Sequence, residues 1–321
     1  MMQQNYKLTL TIFILIFSIS LNLFIAKSAE KKGTPTTKAQ LGEALFNDKI
    51  LSSDFSISCA SCHNANFAFA DTVAFSKGVA NKIARRNTPT AMNMAARSIF
   101  FFDGRATSLE EQALGPIENP DEMNLKIDSA IKRLRANNYY SKAFEKIFNE
   151  QPNKENLTQA IASFERTLET GDSEYDAFAK GNKNIFSKAA LRGKNIFIGK
   201  GKCFDCHSGV DFTNDEFRNI GLFNEQILAD KGRFEITKNI ADLGKFKVPG
   251  LRNVAITAPY MHNGMFKTLS EVVNYYNEPN KIVLNSIGRD TAVTSLNLSQ
   301  SEQNDLVAFL ESLTDRRFMK K

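Results

Sequence analysis

A chain of 321 residues, 42% apolar and 24% charged, is long enough for two domains with their own cores, and this composition excludes a disordered polymer. The formal charge of +6 is modest and contains no run of five or six basic residues, which leaves nucleic-acid binding without support. Four cysteines, three histidines and no tryptophan are present.

In chain order, the first predicted element is an apolar stretch from Leu8 to Ala26, about 19 residues long. A lysine precedes it and a Lys/Ser/Thr-rich stretch follows. This is an export signal over residues 1–29, either cleaved or retained as a membrane anchor, and it sends the remaining chain to the periplasm. Next comes "SISCASCHNAN", with Cys59, Cys62 and His63 in a five-residue frame. A periodic stretch predicts a helix over 157–169, and "GDSEYDAFAKGNKN" (171–184) reads as a linker. "GKGKCFDCHSG" then repeats the frame with Cys203, Cys206 and His207. Such pairs can form disulfides, bind zinc or exchange thiols. The histidine directly after the second cysteine favours another use. In CxxCH both sulfurs form thioethers with haem vinyl groups while the adjacent imidazole reaches the iron.

Both frames belong to longer repeats. "QLGEALFND" (40–48) resembles "LRGKNIFIG" (191–199), matching Gly42 to Gly193 and Phe46 to Phe197. "PTAMNMAARSIFFFDGRATSLEEQALGP" (89–116) aligns without gaps to "PGLRNVAITAPYMHNGMFKTLSEVVNYY" (249–276). Few period-2 runs occur. The expected fold is mostly α: two tandem cytochrome c-like domains, 36–175 and 184–321, each wrapping one covalent haem.

The repeats diverge where they face the irons. Position 116 is proline and cannot bind iron, whereas its counterpart Tyr276 can do so as a phenolate. On the residues alone, Tyr276 is either that ligand or a core aromatic beside Tyr275, with Met261 and Met265 as other candidates. Gln112, Pro116 and Glu122 follow the "FFFDGR" turn. Glu122 is either a general acid/base beside the open iron or a surface or helix-start acid in "NPDEM". His262, aligned with Phe102, either bonds a propionate or water in the electron path or packs as a turn residue.

These motifs, with "RNTPT", "FFDGRATSLEEQALGPI" and "KVPGLRNVAITAPYMHNG", resemble the bacterial di-haem cytochrome c peroxidases and their relative MauG over roughly residues 36–318. The resemblance implies a peroxidatic first haem with Gln112, Pro116 and Glu122 on its open side. It implies Tyr276 as second ligand of the second haem, as in MauG-like members. It also implies a calcium ion held by the Asn87 side chain and the Thr257 and Pro259 carbonyls. The chain departs from the family in having no loop histidine to block the first iron, and Phe102 where a tryptophan usually stands. The expected reaction is reduction of hydrogen peroxide with electrons from a small cytochrome c or cupredoxin. A MauG-like enzyme oxidising residues of a partner protein and a non-enzymatic di-haem carrier are the competing readings. Whether the chain pairs as a homodimer stays open.

Overall fold

The computed structural model describes residues 33–319, so the expected export segment lies outside the described residues. The first half carries helices α1 (Lys38–Asn47), α2 (Cys59–Cys62), α3 (Leu109–Glu118), α4 (Ile127–Ala136), α5 (Asn138–Phe148) and α6 (Lys154–Glu165). The second half carries α7 (Glu174–Ala179), α8 (Lys188–Ile198), α9 (Phe234–Thr237), α10 (Leu269–Asn277), α11 (Pro279–Ile282) and α12 (Gln300–Glu311). Among the described residues the paired strands are two residues each, β1 (Phe217–Arg218) and β2 (Phe246–Lys247), antiparallel with Phe217 opposite Lys247. The mostly helical expectation holds.

The duplication is visible as two copies of one helix crossing. Helix α1 crosses α6 where a Cβ on Gly42 would lie 1.9 Å from the Ala160 carbonyl oxygen and 2.9 Å from the Phe164 Cβ. Helix α8 crosses α12 with Gly193 at the same 1.9 Å from the Asp305 carbonyl oxygen and 2.9 Å from the Phe309 Cβ. Phe46 meets Phe164 at 5.1 Å, and Phe197 meets Phe309 at 5.1 Å. Apolar side chains close each crossing: Leu41, Leu45, Leu157 and Ile161 in the first, Phe197, Leu306, Phe309 and Leu313 in the second. Gly42→Ala or Gly193→Ala should therefore force the helices apart. Overpacking of this kind costs about 1–3 kcal/mol, only partly offset by the ~1 kcal/mol helix preference of alanine. Thermal unfolding of the holoprotein should show a lowered Tm for both. Gly171→Ala, with nothing within 4 Å of the added Cβ, should leave it nearly unchanged.

Aligned residues also meet where the halves join. Asn93 and Asn253 share positive φ values of 61° and 64°. The Asn93 Oδ1 accepts from the Thr170 amide and the Asn253 Oδ1 from the Asp315 amide, both at 2.8 Å. Both Nδ2 groups donate to the Thr170 hydroxyl, at 3.0 and 2.8 Å. One oxygen thus accepts from both repeats. Ion pairs reinforce the join: Arg86 with Asp230 at 2.7 Å, Arg97 with Asp215 at 2.8 Å and with Asp211. Burying such pairs costs desolvation energy that their attraction must offset, so they add little net stability.

Two local expectations are corrected. Helix α6 ends at Glu165, not 169, because the Thr167 amide (2.8 Å) and hydroxyl (2.7 Å) both turn back to the Phe164 carbonyl. The 171–184 stretch is no plain linker. Ser173 caps α7 inside it, its side chain and the Asp176 side chain each bonding the other's backbone.

Candidate active site

Each CxxCH frame folds as one tight turn. In the first, the Ser58 amide donates to the Ser61 hydroxyl at 2.9 Å, Cys59–Cys62 make a single α-turn, and the His63 amide donates to the Cys59 carbonyl at 2.9 Å. In the second, a 3-10 turn over Cys203–Asp205 brings the His207 amide to the Cys203 carbonyl at 2.8 Å. The imidazoles are oriented alike. His63 Nδ1 donates to the Phe69 carbonyl at 2.8 Å, and His207 Nδ1 to the Phe212 and Pro249 carbonyls at 3.0 and 3.1 Å. A carbonyl only accepts, so Nδ1 holds the proton and Nε2 keeps its lone pair. Burial lowers both imidazole pKa values, which favours the neutral ligand form.

The residues present fit a covalent haem at each frame. All four cysteines are free rather than bridged. Burial first, and nearby acids after it, push the Cys59 thiol up to about 12. Burial likewise takes Cys203 to about 12 and Cys62 to about 11. Thiols held protonated are unsuited to disulfide exchange, which needs a lowered pKa. Two free thiols and a neighbouring lone-pair imidazole are the set a c-type haem requires.

Around the second frame lies a cavity of about 260 Å³, lined among others by Cys203, Cys206, His207, Met261, His262 and Tyr276. Helix geometry separates the two tyrosines, since adjacent residues point about 100° apart. Tyr275 is fully buried and its hydroxyl donates to the Ile220 carbonyl at 2.6 Å. Tyr276 turns to the cavity. Burial above all, then Tyr275, Cys203 and Cys206, raises its phenol pKa, so its oxygen lies in the field of the second frame. Met261 lines the same cavity, while the Met265 sulfur receives the Asn263 Nδ2 at 3.7 Å.

The first site is built differently. Helix α3 starts at Ser108, whose hydroxyl accepts from the Glu111 amide at 3.1 Å, as the Thr268 hydroxyl does from the Glu271 amide at 3.1 Å in α10. Pro116 and Tyr276 are each the eighth residue of their helix. Pro116 has no N–H for the Gln112 carbonyl one turn back, and Gln112 and Pro116 share a helix face. Beyond α3 the chain folds back: the Met123 amide donates to the Pro116 carbonyl at 3.0 Å and the Leu125 amide to the Ile117 carbonyl at 2.8 Å. That return brings in Glu122, whose Oε1 accepts from Asn119 Nδ2 at 2.7 Å. Glu122 is half-buried, and burial raises its pKa. Its charge acts on the Cys59 and Cys62 thiols, so it lies within electrostatic reach of the first frame. It is not a helix-start acid, because the next helix opens at Ile127.

Asn87, Thr257 and Pro259 also line the second cavity. Asn87 Nδ2 donates to the Val73 and Ala74 carbonyls at 3.1 and 3.3 Å, which leaves its Oδ1 for another partner. The Asn87 amide donates to the His262 carbonyl at 2.8 Å. The His262 ring stacks on Phe246 at 3.7 Å and 12°, and burial lowers its pKa to about 4, so it is neutral. Phe102 lines the same cavity, its carbonyl accepting from the Lys247 amide at 2.8 Å. Sequence reasoning missed Phe246. It also missed Glu165, buried in the first half, although a charge four residues past Ile161 on an apolar helix face was a legible signal.

Comparison with known proteins gives consistent matches. Residues 36–184 match a family model described as di-haem cytochrome c peroxidase. The methylamine utilization protein MauG of Methylorubrum extorquens is 37% identical over 286 residues, 88% of this chain and 80% of that protein. The cytochrome c peroxidase Ccp of Escherichia coli is 38% identical over 291 residues, 88% of this chain and 59% of that longer protein. Among solved structures, a MauG-like protein associated with microbial copper homeostasis superposes with a TM-score of 0.81 at 30% identity, covering 90% of this chain and 93% of that one.

Proposed function

This chain belongs to the di-haem cytochrome c peroxidase family, and we propose that it reduces hydrogen peroxide to water with electrons from a small cytochrome c or cupredoxin. The carrying observation is one helix position, the eighth of α3 and of α10, filled by Pro116 in one half and by Tyr276 in the other. Cys59 and Cys62 with His63 would hold one haem in domain 36–175, and Cys203 and Cys206 with His207 the other in domain 184–321. When bound, the haems would supply redox equivalents, the first on a side where Pro116 offers no donor atom.

The protein's own groups do the rest. Glu122 takes a proton from peroxide at one carboxylate oxygen and returns it to the departing oxygen. Asn119 holds that carboxylate in place, and burial raises its pKa toward the working range. The Gln112 amide orients peroxide from the same face, and Pro116 offers no atom to compete for it. The Tyr276 phenol closes the second site. Asn87 Oδ1 and the carbonyls of Thr257 and Pro259 would hold a calcium ion, which oxygen donors suit. The 1–29 segment directs the chain to the periplasm. Among the described residues no helix is long and apolar enough to cross a membrane.

The test is peroxide consumption by the fully ferric holoprotein supplied with a reduced small cytochrome c. Catalytic donor oxidation without a pre-reduction step is expected, because the third histidine, His262, lies in the second half. Absence of donor-dependent turnover would overturn the reading. Tyr276 favours one alternative, oxidation of residues on a partner protein. That reaction would proceed with the partner present and no small donor.

A further inference from the structure

The mechanism leaves one buried acid unused. Glu165 is only 7% exposed, and its Oε2 is fully buried without a hydrogen-bond partner. An unpaired carboxyl in a protein interior is costly, and an ionised one more so, unless something in the working protein answers it. The duplication shows what it faces. Ala160 and Phe164 meet Gly42 as Asp305 and Phe309 meet Gly193, so Glu165 is the counterpart of Leu310. Leu310 lines the cavity that holds Cys203, Cys206 and His207. Glu165 therefore faces the first CxxCH frame. Independently, among charged groups it acts most strongly on the Cys59 thiol.

The surroundings do not neutralise it. Arg166, next in the chain, is turned to Glu110 of α3 with bonds of 2.7 and 2.9 Å. From α2 comes Cys59, and Glu122 lies within electrostatic reach of the same frame. The contact face of α1 is apolar, with Leu41 and Leu45, while Lys38 reaches Gln159 at 3.3 Å. Burial first, with Arg166 opposing and Glu110 assisting, takes the Glu165 carboxyl up to about 8. It can hold a proton at neutral pH.

We infer that Glu165 is the redox-linked proton acceptor of the first haem, binding one proton when that haem gains an electron and releasing it when the electron leaves. This rests on the peroxidase reading. The balance is simple: the donor protein supplies the electron, solvent supplies the proton, and a carboxylate becomes a carboxylic acid at Glu165. A ferric haem core carries net positive charge, which favours the carboxylate; reduction removes that charge and favours the acid.

The test is an optical redox titration of the holoprotein, without peroxide, from about pH 6 to about pH 9, around the window in which the group titrates. The potential of the first haem should fall with rising pH at close to one proton per electron. The second haem, with Leu310 at the matching place, should show little slope. Glu165→Gln keeps the shape and should flatten the first slope, and Glu165→Leu, which copies the twin, should do the same. An unchanged slope in Glu165→Gln, or a flat first-haem potential in the wild type, would overturn the inference. The conservative Gln variant decides the matter if the Leu variant fails to load haem. Because no peroxide is present, a sloping potential in an enzyme without turnover would refute the peroxidase reading alone. Normal turnover with a flat potential would refute only the role of Glu165.

Discussion

Glu122→Gln should slow peroxide consumption by roughly 10²–10⁴-fold, the usual loss when an acid/base group is removed. Glutamine has the same shape and can still accept from Asn119 Nδ2, so the return segment 119–125 should keep its fold. What it cannot do is carry a proton. Both haem spectra should remain close to wild type while the rate of peroxide cleavage, followed by stopped-flow absorbance, falls. The pH profile adds a signature. The working form is the carboxylate, so activity should be lost as pH falls through the Glu122 pKa. Burial raises that pKa, which places the acid limb above that of a free carboxylate, and the limb should vanish in the variant. Wild-type rates in Glu122→Gln would move the proton shuttle to another group.

Tyr276→Phe should have the second large effect, on the other haem. The substitution removes one oxygen and keeps the ring that packs 5.5 Å from Tyr275. The second haem should change from low spin to high spin and its potential should rise, since an anionic ligand favours the oxidised iron. Peroxide should still bind in the first pocket. Redox titration and low-temperature EPR of the variant check both points. If the low-spin signal survives, Met261 is the ligand to examine. Tyr275 is committed to the Ile220 carbonyl and His262 is stacked on Phe246.

Much of this site was legible in the residues because the chain contains two copies of itself. Gly42 and Gly193 align in sequence and do the same steric work at two helix crossings. Pro116 and Tyr276 align and occupy the same place on two helices capped in the same way. A repeat allows one half to serve as the reference for the other, and divergence then carries meaning.

What was not legible depends on contacts between distant segments. Nothing in "ERTLETGDS" says that the Thr170 hydroxyl accepts from both Asn93 and Asn253. A Gly- and Asn-rich stretch reads as linker, yet Ser173 and Asp176 nucleate a helix there. The stacking of His262 on Phe246 joins residues far apart in sequence, so no local period reports it. Glu165 was legible as a charge on an apolar helix face, but what it faces follows from how α6 packs beside α3 and the first frame.

The central claim is that the two irons are inequivalent, the first open above His63 and the second closed by Tyr276. The most direct test is the low-temperature EPR spectrum of the fully ferric wild-type holoprotein, integrated per chain. The account predicts one high-spin and one low-spin haem in equal amounts. Two low-spin haems would contradict it, since both irons would then be closed and the chain would be fitted to carry electrons rather than to reduce peroxide.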